Sequence, residues 1–327
     1  MTTDVKNRAG GSAVGRSASR GTRGEGAFRF LSTGAGVVLL AIMAAIAVFL
    51  ISEAIPALVA DKGNFFTQLT WEPNATQPSF GIAALAFGTL MSAAIALIIA
   101  TPIAIGVALF ISHYAPRQIA GPLGYLVDLL AAVPSVVYGL WGLAFLVPLL
   151  KTPSQWLNDL LGWFPLFAGD GAIGGKTMFA GGVVLAIMIL PIIAAISREV
   201  FLQTPKMNEE AALALGATRW EMIRMAVLPF GRPGVISAAM LGLGRAMGET
   251  IAVALIFPAT FEISLQILTP QGNSIAANIA NGFGEATPIG RGALIASGLV
   301  LFIITLLVNM AARFVINRRK EYARTGA

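Results

Sequence analysis

Long apolar runs alternate along the chain with short polar stretches. Apolar residues dominate from about Leu31 to Ile51, Gly81 to Ser112, Leu123 to Leu150, Met178 to Ile196, Gly234 to Phe257 and Gly292 to Phe314. Each run is at least about 18 residues, the length a helix needs to cross the hydrocarbon of a bilayer. The pattern predicts an all-α polytopic membrane protein with six transmembrane helices. Polar loops at 61–80, 151–177 and 258–289 separate the runs, as do a short turn at Pro116-Arg117 and a patterned polar segment at 205–229. Residues 1–27, rich in Gly, Ser, Ala, Thr and Arg, predict a disordered basic tail with little to bury. Residues 28–80 then hold the first helix and a loop, 81–316 the main transmembrane domain, and 317–327 a C-terminal tail. The first run competes with a signal peptide ending at Ala57-Leu-Val-Ala60, but its length and long basic leader favour an uncleaved helix. Pro191 is expected to bend or break the fourth helix. Pro134-Ser135 frees a backbone carbonyl in mid-membrane, which is tolerated where neighbours can satisfy it.

Composition sharpens this picture. Of 327 residues, 56% are hydrophobic and only 12% charged, too apolar a balance for an ordinary soluble globule. The absence of cysteine excludes disulfides and thiolate sites, and a single histidine, His113, argues against a histidine-based catalytic or zinc centre. No nucleophile–base or metal-ligand cluster is legible, so neither an enzyme nor a bound metal or cofactor is expected. The net charge of +6 reflects topology and not nucleic-acid binding. Of 22 Lys and Arg residues, 17 fall in the N-terminal tail, the 112–121 turn, the 198–233 segment and the C-terminal tail. The three other loops hold only Lys62, Lys151, Lys176 and Arg291, which orients both termini toward the cytoplasm. Gly169-Asp-Gly-Ala-Ile-Gly174 matches a dinucleotide fingerprint, and Gly174-Gly-Lys-Thr177 the end of a P-loop. Both require a preceding strand, and Asp170 stands where a P-loop needs glycine, so this is a loop outside the membrane. Asn74-Ala-Thr76 is a glycosylation sequon by pattern only.

The 205–229 segment reads as a helical hairpin. Asn208 is placed to cap a first helix, with Glu209 and Glu210 in its first turn. Gly216 ends that helix, and Thr218-Arg-Trp-Glu221 forms a capping box for a second, which carries Trp220, Ile223, Met225 and Val227 and stops at Pro229. Small residues and apolar knobs suit insertion into a partner, although packing on the chain's own bundle fits equally. The spacing from Glu210-Ala211-Ala212 through Gly216 to Leu228-Pro229 resembles the EAA loop of permeases of ATP-binding-cassette importers. Ala226 stands where that family usually has isoleucine. The resemblance implies that Glu210, Ala211, Ala212 and Gly216, with Thr218 and Trp220, couple this chain to an ATPase.

The fifth run contains Arg245, about 20 Å along a helix from Arg232 and so near mid-membrane. An arginine there costs about 2.5–3.5 kcal/mol on insertion scales, so a partner or polar cavity is expected. Glu249, four residues on, shares its helix face and is expected to pair with it, while Gly242, Gly244 and Gly248 thin the helix and Gly244-x-x-x-Gly248 is expected to allow close helix approach. A packing clasp and an anion path are both open. Intramembrane ions commonly mark a substrate path, and arginine suits bidentate capture of oxyanions, which favours the path.

Residues 242–253, Gly-Leu-Gly-Arg-Ala-Met-Gly-Glu-Thr-Ile-Ala-Val, resemble the signature of C-type permease subunits of phosphate-specific importers. Val133-Pro-Ser-Val-Val-Tyr-Gly-Leu-Trp141 and Ile275-Ala-Ala-Asn-Ile-Ala-Asn-Gly-Phe283 with Glu285-Ala286 agree, and the resemblance covers about residues 80 to 316. It implies the type I importer permease fold and a substrate pathway through Arg245, Glu249 and Thr250. It further implies an A-type permease partner, two ATPase subunits carrying ATP and magnesium, and an extracytoplasmic phosphate-binding protein. A permease for another oxyanion such as molybdate, and an ion-gradient transporter or channel without ATPase, remain the alternatives.

Overall fold

The computed structural model describes residues 23–169 and 173–325, with side chains described from 25 to 314. Two compact units divide the chain, Met1–Phe49 and Leu50–Ala327. Most of helix α1 (Arg23–Ala60) belongs to the first unit, and its apolar side chains are exposed. The described part of the basic tail is the start of this helix; residues 1–22 lie outside the described residues.

In the second unit, a two-residue hairpin pairs β1 (Trp71–Glu72) with β2 (Ser79–Phe80), Trp71 opposite Phe80. Then come α2 (Ala83–Tyr114), the pair α3 (Arg117–Ala131) and α4 (Ser135–Leu149), and the short α5 (Lys151–Leu161). The remaining helices are α6 (Met178–Leu202), α7 (Lys206–Ala214), α8 (Arg219–Met247), α9 (Ile251–Ile256), α10 (Ile275–Gly282) and α11 (Pro288–Thr325). Among the described residues five helices are long and apolar enough to cross a membrane, and α3 with α4 makes a sixth if a pair bent by 88° is counted as one span.

That bend corrects the single segment expected over 123–150. Pro134 lacks the N–H that would bond the Leu130 carbonyl, so the helix ends at Ala131 and restarts at Ser135. The freed carbonyl is satisfied: the Tyr138 hydroxyl donates to it at 2.9 Å. At Pro191 the expected break is absent from the element, since α6 runs unbroken to Leu202 with Pro191 buried inside it.

The core lies where α2 meets α6. Ala93, Ala96, Ala100 and Ala104 recur at helical spacing and are fully buried, letting α6 bring Val184, Leu185, Ile189 and Ile193 close. A second cluster joins Ala54 and Ala57 to Phe80, Leu85, Ile275 and Ala293, at the start of α2. A third joins Ala108, Leu109 and Phe201 to Met222, Ile223 and Val227, at its far end. The two clusters therefore define opposite poles of the bundle.

Candidate functional site

At the pole of the third cluster, α7 is held at both ends by local chemistry. Pro205 occupies its N-cap and Asn208 lies inside the helix, which starts three residues earlier than the sequence suggested. At the other end Gly216 adopts φ +85°, its N–H bonds Leu213, and the Ala217 N–H bonds Ala212. This is a complete Schellman closure, open to glycine because the left-handed conformation carries no Cβ penalty. The capping box forms as expected. The Thr218 N–H and hydroxyl both donate to the Glu221 carboxylate at 2.8 Å, and the Glu221 N–H donates back to the Thr218 hydroxyl. The second helix does not stop at Pro229. A π-helical turn at Ile223–Val227 shifts the bonding ladder just before the proline, so α8 passes straight from hairpin into membrane span.

The hairpin's apolar residues divide between two jobs. Ile223 and Val227 are buried at home, whereas Trp220, Met225, Met207 and Leu215 are exposed. Glu210, Ala211, Gly216 and Thr218 are exposed too, and Ala212 packs against the third cluster. Beneath α7, His113 at the end of α2 brings Nε2 to 3.6 Å from the Glu209 carboxylate, and its Nδ1 lies 2.7 Å from the Ser112 hydroxyl. This junction between hairpin and bundle was not legible in the sequence, because 96 residues separate the two partners.

Within the span, the structure separates the residues that the sequence grouped. Arg245 lies in the last turn of α8, where the helix dipole favours a cation. The helix ends at Met247, so Glu249 does not continue its face. The Glu249 carboxylate is buried and accepts the Ala252 N–H at 3.3 Å, helping to start α9. Thr250 sits between them and donates its hydroxyl to the Gly248 carbonyl at 3.2 Å. The Arg245–Glu249 pair is therefore a correction: among the described residues the ion pairs are His113–Glu209, Arg198–Asp128 and Arg198–Glu199, and none includes Arg245. The glycine expectation shifts as well. A Cβ at Gly244 would meet nothing within 4 Å, and one at Gly248 would meet only carbonyls of its own last turn. Close approach falls at Gly242, where a Cβ would lie 2.8 Å from Ile193 of α6.

Arg245 instead opens onto a cavity of about 990 Å³ between α6, α8 and α11. The cavity takes Ser237 and Gly244 from α8 with Arg245, and Asn309 and Arg313 from α11. No carboxylate is among its described lining residues. Ser237, Asn309 and Arg313 escaped the sequence reading because a neutral residue in an apolar run, and a cation at its end, look the same whether or not they face a cavity.

At the opposite pole, the Ile275–Phe283 stretch forms α10 and lines a second cavity of about 480 Å³ with Asn278, Asn281 and Glu285. The 61–80 loop closes it: Asn74 accepts from both the Thr287 N–H and hydroxyl, at 3.1 and 2.9 Å. The sequon asparagine is thus committed to an internal bond. In the second polar loop, Gly174 and Gly175 both have positive φ, and the element described immediately before them is the helix α5 and not a strand, which agrees with the rejected nucleotide motifs. Asp170, Gly171 and Ala172 lie outside the described residues.

Comparison with known proteins places this arrangement. Residues 100–321 match the model of the family described as the binding-protein-dependent transport system inner membrane component. The chain belongs to this family of transport permeases, which makes it a transport subunit and not an enzyme. It is 47% identical over 295 residues to the phosphate transport system permease protein PstC 2 of Mycobacterium tuberculosis, covering 89% of this chain and 91% of that one. It is 46% identical to the PstC protein of Mycobacterium leprae, over 84% of this chain and 87% of that one. The PstC protein of Xylella fastidiosa is 41% identical, over 92% and 94%. Within the permeases, then, the chain belongs to the PstC family. Among solved structures, a bacterial ABC transporter that imports the polysaccharide alginate superposes with a TM-score of 0.56 at 17% identity, over 89% of this chain and 96% of that one. The inward-facing MetNI methionine transporter superposes with a TM-score of 0.50 at 16% identity, over 72% and 95%. These likenesses establish the type I ABC importer permease fold.

Proposed function

We propose that this chain is the permease subunit of an ATP-driven inorganic phosphate importer, with Arg245 as the residue that meets the anion in the membrane. The observation that carries the reading is the cavity itself. It holds a half-buried arginine with no carboxylate among its described lining residues, in a chain of the PstC family. An uncompensated cation is costly there, and an arriving oxyanion removes that cost. The planar guanidinium offers two parallel donors to two phosphate oxygens. Glu249 and Thr250 act at the joint between α8 and α9, the carboxylate bonding the backbone that follows the arginine and not the arginine itself.

The 205–229 hairpin faces the cytoplasm, as do both termini, and the loops at 61–80 and 258–289 lie outside. Glu210, Ala211, Ala212, Gly216, Thr218 and Trp220 present the surface that an ATPase grips, and Glu209–His113 passes its motion into α2. The functional unit comprises this chain, an A-type permease subunit, two ATPases carrying ATP and magnesium, and an external phosphate-binding protein. Residues 81–316 form the transport domain proper. Closure of the ATPases turns the pathway outward, phosphate enters and meets Arg245, and reopening releases it inward.

The test is ATP-driven uptake of labelled phosphate into proteoliposomes that hold this chain with its co-purified partners. Accumulation that arsenate competes for, and sulfate and molybdate do not, is the expected result. Arg245→Lys keeps the charge but loses the fork, and should cut uptake by about tenfold or more. Uptake of another oxyanion would sink the phosphate assignment. Uptake that persists without ATP, or after deletion of residues 208–220, would favour the ion-gradient alternative.

A further inference from the structure

Arg245 is not the only arginine that the first cavity holds. Arg313 lines it from α11, and neither cation has an ion-pair partner among the described residues. Two like charges facing one space with no counter-ion repel each other, and the half-buried Arg245 also pays for leaving bulk water. A protein tolerates this where a mobile anion supplies the missing charge. The neutral groups between them fit the same ligand. Asn309 lies one helical turn before Arg313 on the same face, and Ser237 lies two turns before Arg245 on α8. The Ser237 hydroxyl donates to the Pro233 carbonyl at 2.9 Å, which leaves its oxygen free to accept from a protonated oxyanion.

The two arginines sit at different depths. Helix α8 leaves the hairpin pole and reaches Arg245 after 26 residues from Arg219, about 39 Å of helix. Helix α11 starts at the opposite pole, where Ala293 packs with Phe80 and Leu85, and reaches Arg313 after 25 residues, about 38 Å. The helices run in opposite senses, so Arg313 lies on the hairpin side of the cavity and Arg245 on the deep side. Exposure agrees: Arg245 is half-buried and Arg313 exposed.

We propose that Arg313 is a second anion-binding residue, which takes an oxyanion from Arg245 and hands it to the hairpin-side mouth of the cavity. The inference rests on the transport reading above and extends it from one contact to a two-station path. Two stations of like charge keep either from holding the anion too tightly, since the second cation draws it onward as the first lets go. No covalent step is involved.

The chain contains no cysteine, which makes a direct test available. Asn309→Cys places one thiol a helical turn from Arg313, and its alkylation by N-ethylmaleimide is read on this chain within the full transporter. Inorganic phosphate is expected to protect that thiol, whereas chloride at equal ionic strength is not. Adding Arg313→Gln should raise the phosphate concentration for half-protection about tenfold. Arg313→Lys should give a smaller shift in the same direction, and it serves if the glutamine variant fails to assemble with the ATPase. Equal half-protection with Arg313 and with its replacements overturns the proposal, as does absence of protection in a transporter that still imports phosphate. ATP-driven phosphate uptake by the unsubstituted transporter is measured alongside. Failure there removes the phosphate reading itself, while intact uptake with unchanged protection removes only the role of Arg313.

Discussion

Glycines act here through what their missing side chains admit, and each does so differently. At Gly242 the absent Cβ lets α8 lie against Ile193 of α6, beside the turn that carries Arg245. At Gly139 it admits Ala252 of α9, whose Cα would stand 2.7 Å from a Cβ there. The two contacts pin both sides of the α8–α9 joint, so the position of Arg245 depends on glycines that touch no ligand. Gly242→Val should overpack the α6–α8 contact and cost about 1–3 kcal/mol. A lowered thermal unfolding midpoint of the purified protein, with uptake reduced in proportion to the folded fraction, would bear this out. An unchanged midpoint would mean that the helices have room to separate.

At the scale of elements, the coupling proposed for the hairpin rests on how its corner is built. A Schellman closure at Gly216 and a capping box at Thr218 define the corner between α7 and α8 within three residues. The second arm is continuous with the span that ends at Arg245. A single helix therefore joins the exposed Trp220 to the cavity. Thr218→Ala removes the N-cap hydroxyl and should cost about 1 kcal/mol of local stability. Its signature would be ATPase activity retained while phosphate uptake falls, because the corner frays and the arm is no longer held at a fixed angle. Parallel loss of both activities would point to failed assembly. Much of this element was readable in advance. The turn at Gly216 and the box at Thr218-Glu221 are local chemistry, encoded within four residues of themselves. The passage of α8 through Pro229 was not readable, since it depends on a π-helical turn that Ile223 and Val227 adopt as they pack against Ala108, Leu109 and Phe201.

For the whole molecule, the two poles differ: the exposed hairpin stands at one, and at the other a cavity bordered by the Asn74–Thr287 bonds. The distribution of basic residues predicts that the hairpin pole faces the cytoplasm. A membrane-impermeant maleimide should therefore label Ala75→Cys in intact cells, and Leu215→Cys only after permeabilisation; both positions are exposed and the parent chain has no thiol. Labelling of Leu215→Cys from outside would invert the topology and remove the ATPase reading of the hairpin.

The sequence by itself determined the class of molecule. Runs of apolar residues long enough to span a bilayer leave only a helical membrane protein, because each backbone group in lipid must be satisfied within its own segment. It also determined the Gly216 closure and the Thr218 capping box of the hairpin and singled out Arg245, since a charge in an apolar run is conspicuous wherever the chain goes. Only the tertiary structure decided what Arg245 faces. Spacing suggested Glu249, on the premise of an unbroken helix, but the break at Gly248 turned the carboxylate onto the α9 backbone and left the guanidinium to the cavity. That Arg313 joins it across 68 residues of chain depends on α11 folding back beside α8, an arrangement set by packing between helices and carried by no local pattern.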